Sequence, residues 1–172
     1  MTAIHTDAAL PAIDSTELRR CLGSFVTGVT VMTTLDADGQ PEGITANSFS
    51  SLSLNPPLIV WSLRLSSRSF NTYQNATHFA VNILAQDQVH LSNRFASSGI
   101  NRFEGVAYTP GLGGVPLLEG CASYLECSLE ASHPGGDHVL FVGRVQRIRV
   151  NDIKPLAYGN GGYLSVQSLD VA

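Results

Sequence analysis

The chain has 172 residues, enough for one domain with a sizeable core. Apolar residues make up 44% of it, which excludes bulk disorder. The formal net charge is −4 with no basic run, which argues against a nucleic-acid partner.

Residues 1–13 carry Ala, Pro and Thr without periodicity and read as a loose arm, leaving 14–172 as a single domain. Asp14 is a helix N-cap with Glu17 as its box partner, and Leu18, Cys21, Leu22 and Phe25 give that helix one apolar face. Gly28 to Thr34 is β-branched and predicts a strand. Asp36-Ala37-Asp38-Gly39 is a hairpin turn signal, and a second strand follows it into a polar loop over Thr45–Ser53. Leu58–Leu63 and Phe79–Leu84 are predicted strands around a short helix near Ser67–Gln74. Val89, Leu91 and Phe95 are spaced for a helix within Gln86–Ala96. Tyr124–Ser132 and His138–Val150 predict a long hairpin across Pro134-Gly135-Gly136, and Gly162–Val166 is a last short strand. Many short strands with few helices predict a mainly β fold whose sheet closes on itself as a small barrel, with helices plugging the ends.

Cys21, Cys121 and Cys127 are an odd count without a CxxC, so they read as reduced thiols of a cytoplasmic protein; no metal site is predicted. The N-terminus lacks a basic-then-apolar signal pattern. No apolar run reaches the roughly 18 residues of a membrane helix, so no membrane partner is expected.

Five places carry chemistry. In Gly43-Ile44-Thr45-Ala46-Asn47-Ser48-Phe49-Ser50-Ser51-Leu52-Ser53-Leu54-Asn55-Pro56-Pro57, seven hydroxyl or amide side chains fall within eleven residues, and prolines then pin the chain. The stretch reads either as a Ser/Thr turn between strands or as a loop that meets a flat, heteroatom-rich ligand. Ser66, Ser67, Arg68 and Ser69 follow a strand and begin a short helix, so they form either a capped surface turn or a phosphate site. The Rossmann and P-loop glycine patterns are absent. Ser92, Arg94 and Phe95 make a similar second cluster. At Gly135-Gly136-Asp137-His138, two glycines permit a positive-φ turn and close approach of a ligand, with His138 at a strand start. Tyr163 either walls a pocket or closes a barrel end.

From Leu18 to Val166 these elements, with Phe79-Ala80-Val81-Asn82-Ile83-Leu84 and Asn101-Arg102-Phe103-Glu104-Gly105, resemble in order the short-chain flavin reductases. These are the reductase components of two-component flavin monooxygenases. The resemblance implies an FMN-binding split β-barrel, a homodimer and an NAD(P)H:flavin oxidoreductase that reduces FMN or FAD with NADH, or with NADPH. The reduced flavin would serve a partner monooxygenase or another acceptor such as ferric iron. It implies that Thr45, Ala46, Asn47, Ser48, Ser50 and Ser51 contact the flavin and that Ser66–Ser69 hold its phosphate. Ser92, Arg94 and Phe95 would approach that phosphate or an FAD extension. Asp137 and His138 would face the nicotinamide, with His138 orienting the hydride donor, and Tyr163 would wall the nicotinamide pocket. Other readings are an FMN-retaining oxidase on the same barrel and a non-catalytic flavin-binding module. No Arg or Lys pair near Gly136 argues for a 2′-phosphate, so NADH is the expected donor.

Overall fold

The computed structural model describes residues 12–169, so the expected arm lies outside the described residues except for its last two. Helix α1 spans Ser15–Gly23; the Asp14 carboxylate caps it by accepting the Thr16 and Glu17 amide hydrogens at 2.8 and 3.0 Å. Its expected apolar face finds no partner among the described residues: no residue of α1 is buried, and Leu22 and the following Phe25 are 63% and 77% exposed.

Strands β1 (Thr27–Gly28) and β2 (Thr30–Leu35) replace the single strand expected over Gly28–Thr34. The break at Val29 sends them to different sheets: Val29 bonds Leu156 through its N–H and Leu84 through its carbonyl. The turn after β2 forms as predicted. The Asp36 carboxylate accepts the amides of Asp38 and Gln40, and Gly39 takes φ +74°.

The polar stretch is mostly strand rather than loop. β3 covers Pro41–Ala46 and β4 covers Ser50–Leu54, leaving only Asn47-Ser48-Phe49 as the link. Both are edge strands, where half-exposed hydroxyls are tolerated. β5 (Pro57–Arg64) follows, then α2 (Phe70–Asn75), β6 (His78–Ile83) and α3 (Val89–Ala96). A small hairpin of β7 (Tyr108–Pro110) and β8 (Pro116–Leu118) was not apparent in the sequence. The long hairpin is β9 (Ser123–Gly135) with β10 (His138–Val150), and β11 (Ala157–Gly159) and β12 (Gly162–Leu164) end the order.

The main sheet runs β3-β2-β6-β9-β10-β5-β4. It curls round, but no ladder joins its two edges, so the barrel is split rather than closed. A side chain bridges the seam instead: Ser48 Oγ donates to the Ser62 carbonyl at 2.9 Å and accepts the Ser62 amide at 3.0 Å. Each face of the sheet carries its own core. The adjacent, fully buried Val31 and Met32 belong to different clusters, one outside under α3 and β8, the other inside the barrel. This is why β2 reads as a continuous apolar and Thr run instead of alternating. Inside, Trp61 stacks on Phe141 (5.0 Å) and meets Tyr73 of α2 edge-on (4.9 Å). The Tyr73 phenol donates to the Met32 carbonyl at 2.6 Å, so α2 plugs one end of the barrel. α3 packs on the outside instead of plugging an end. No helix among the described residues is long and apolar enough to cross a membrane.

Candidate active site

A cavity of about 430 Å3 opens along the seam. Ile44 to Ser48 form one wall; Ser62, Leu63, Arg64, Ser66 and Ser67 form the other. His138 closes it, because β10 pairs beside β5 with His138 opposite Arg64. The ladder continues one step further, through the Leu65 amide to the Asp137 carbonyl at 3.0 Å. The two-residue loop Gly136-Asp137 carries positive φ only at Gly136 (+63°), the pattern of a II′ hairpin turn. That tight turn puts His138 at the cavity.

His138 Nδ1 lies 2.7 Å from Asp137 Oδ1. An ionised carboxylate only accepts, so Nδ1 carries the proton and Nε2 is left without a partner among the described residues. The bond from His138, then the charge of His138 and that of Arg64, hold the Asp137 carboxyl below its ordinary range. Asp137 itself points to solvent and acts on the site through His138.

The hydroxyls on the first wall are largely committed to the fold. Thr45 Oγ1 donates to the Ser92 carbonyl at 2.6 Å, and Ser48 holds the seam. Asn47 and Ser66 make no side-chain hydrogen bond among the described residues, so their polar atoms are available to a ligand. Ser50 and Ser51 do not line the cavity: they sit exposed on β4, and Ser50 bonds its neighbour's carbonyl.

Arg68 and Ser69 line a second cavity, of about 210 Å3, with Glu42, Gly43, Asn101 and Arg102. The two cavities are lined by successive residues, Gly43 and Ile44 on β3 and Arg68 and Ser67 on the loop. α2 begins only at Phe70, so the serine cluster lies in the turn before it and not in its first turn.

Ser92 and Tyr163 line a third cavity, of about 230 Å3, with Tyr158, Thr45 and Asn47. The Tyr163 phenol bonds Ser92 Oγ at 2.9 Å and Asn93 Oδ1 at 2.8 Å. Arg94 and Phe95 of the expected cluster line none of these cavities. The Arg94 guanidinium donates to the carbonyls of Asn101, Arg102 and Glu104 and so ties down that loop. Phe95 is fully buried against Phe103. It also explains Gly43, where a Cβ would lie 2.6 Å from the Phe95 ring. A cavity of about 580 Å3 at the β2–β3 turn gathers none of the predicted residues. Ser62, Arg64, Glu42 and Arg102 join the site without having been singled out as site residues. Only strand register brings Arg64 and Ser62 there; the resemblance of Asn101-Arg102-Phe103 was the one sequence signal for Arg102.

The architecture is thus a split barrel with a polar cleft on its seam and a separate arginine-lined pocket beside it. The chain belongs to the flavin reductase like domain family, which matches residues 22–167. It is 39% identical over 170 residues to the reductase subunit HsaB of a flavin-dependent monooxygenase from Rhodococcus jostii (strain RHA1), covering 97% of this chain and 87% of that one. A solved structure of the NADH:FAD oxidoreductase SgcE6 from Streptomyces globisporus C-1027, in complex with NAD and FAD fragments, superposes with a TM-score of 0.85 at 32% identity, covering 90% of this chain and 93% of the other. The chain spans about half the length of some curated relatives: it matches 49% of a Rhizobium meliloti (strain 1021) protein named "Probable flavin reductase", with 41% identity over 152 residues, 88% of this chain.

Proposed function

We propose that this chain is an NADH:flavin oxidoreductase that supplies reduced flavin to a separate monooxygenase component. The observation that carries the reading is the seam cavity, polar on both walls and ending at the His138–Asp137 pair. The residues fit a flavin nucleotide. Asn47 and Ser66 present free polar groups to the ring and chain, and Arg68 and Arg102 face the pocket that takes the phosphate. When bound, the flavin accepts a hydride from the reduced nicotinamide. The protein's part is positioning. His138 lines the cavity and orients the donor, while Asp137 holds the imidazole ring in place.

The same reading takes residues 14–172 as one flavin reductase-like domain with 1–13 as an arm. It makes the protein a cytoplasmic homodimer, supported by three free thiols and by the unpartnered apolar face of α1. Arg64 beside the His138 turn is a cation near the donor site, so NADPH belongs in the assay beside NADH. The test is steady-state oxidation of each nucleotide with and without added FMN or FAD. Oxidation dependent on added flavin is expected, faster with NADH. No flavin-dependent oxidation with any pair overturns the reading.

A further inference from the structure

The second cavity contains a carboxylate that a simple anion pocket would not. Glu42 Oε1 accepts the Ser69 hydroxyl at 2.6 Å and lies 3.3 Å from Arg102 Nη1. Ser69 is only 3% exposed, so Glu42 takes the place of water as its acceptor. Arg102 is otherwise held by backbone, donating to the Gly43 and Ser97 carbonyls at 2.8 Å each. Arg68 makes no ion pair or side-chain hydrogen bond among the described residues, yet it lines the same space. Two guanidinium groups thus face one carboxylate, leaving a single net positive charge.

We propose that Glu42 is an internal counter-anion that competes with the flavin's phosphate for Arg102 and Ser69, and so hastens release of the phosphorylated flavin. The proposal rests on reading this cavity as the phosphate pocket. A phosphate monoester carries about −1.5 to −2 charge near neutral pH. On entering, it either takes Arg102 and Ser69 from Glu42 or sits beside an uncompensated carboxylate; both weaken its hold. Before entry, Glu42 keeps Arg102 and Ser69 in position, so the pocket is already formed. A reductase that passes its product to another protein needs this balance: fast capture and ready release.

The test compares FMN with riboflavin, which lacks the phosphate, by equilibrium titration and stopped-flow release for wild type, Glu42→Gln and Arg68→Ala. Glu42→Gln keeps shape and hydrogen-bonding capacity but removes the charge. It is expected to tighten FMN roughly three- to tenfold through slower release, with riboflavin unchanged. Inorganic phosphate should also compete with FMN at lower concentration in this variant. Glu42→Ala should move FMN in the same direction, which guards against a fault particular to Gln. FMN affinity equal to or weaker than wild type in both variants, with Arg68→Ala still selectively weakening FMN, overturns the role of Glu42 and leaves the phosphate pocket standing. Equal losses of FMN and riboflavin in Arg68→Ala overturn the pocket and the proposal together.

Discussion

Asn47 stands at the turn between β3 and β4 with its side-chain amide unbonded among the described residues, whereas the hydroxyls of its neighbours Thr45 and Ser48 are bonded within the fold. Asn47→Leu is therefore expected to weaken flavin binding by ~1–3 kcal/mol, roughly tenfold to a hundredfold in Kd, with little change in stability. A folded variant of unchanged flavin affinity would remove Asn47 from the site. His138→Ala should slow flavin reduction by NADH about tenfold to a hundredfold at nearly constant flavin affinity, while reduction by dithionite keeps its rate. Stopped-flow traces at saturating flavin separate these, and an unaltered hydride-transfer rate sinks the orienting role. The Asp137 carboxyl has a depressed folded-state pKa. Its pairing therefore contributes stability above the unfolded value of about 3.9 and loses it as the pH falls through the folded value. The difference in urea midpoint between wild type and Asp137→Asn should accordingly shrink towards acid pH; a difference that stays constant from about pH 6 to about pH 3 contradicts the pairing.

Among the elements, β8 shows how one buried side chain places a whole strand. Asn82 of β6 donates to the Val31 carbonyl at 3.0 Å and to Thr33 Oγ1 at 2.9 Å, and its oxygen accepts the Leu118 amide at 2.8 Å. Thr33 in turn bonds the Pro116 carbonyl. Asn82→Leu keeps the volume but leaves buried groups unpaired, so it should cost about 3 kcal/mol in chemical unfolding. A loss under about 1 kcal/mol would mean that water or relaxation replaces the network. The sequence marks Asn82 only as a polar residue in an apolar strand; its partners lie on β2 and β8, which no local pattern joins to it. Element type was more legible. The Asp14 cap, the Asp36–Gly39 turn and the bounds of β10 all follow from neighbouring residues. The polar Thr45–Ser53 stretch was misread because serine and threonine suit turns locally but also serve edge strands once a partner strand exists.

For the whole molecule, the unpartnered face is the feature to test. Leu18, Leu22, Phe25 and Val26 are 45%, 63%, 77% and 50% exposed, in one short stretch of chain. Clustered apolar side chains of this kind mark association surfaces. If α1 packs in a homodimer, Leu22→Glu with Phe25→Glu should give monomers in sedimentation velocity, because the pair would bury charge without a partner. A double variant that sediments like wild type places the dimer contact elsewhere.

What the sequence by itself determined is the mainly β class, the turns and caps, and the identity of the chemical groups available: short hydroxyls, one amide, arginines and a histidine behind two glycines. Those depend on residues within a few positions of each other, so their physics is local. Only the tertiary structure decided which of these groups meet. His138 faces the cleft because the ladder sets it opposite Arg64, and Arg68 parts from Ser67 into a second cavity beside Glu42 and Arg102. Arg94 and Phe95, no less promising on paper, are consumed by a loop and a core. Side chains on a strand alternate between faces, so a one-residue change of register would turn each of them to the other face of the sheet. That register is fixed by the packing of distant strands on both faces of the sheet, and no stretch of neighbouring residues encodes it.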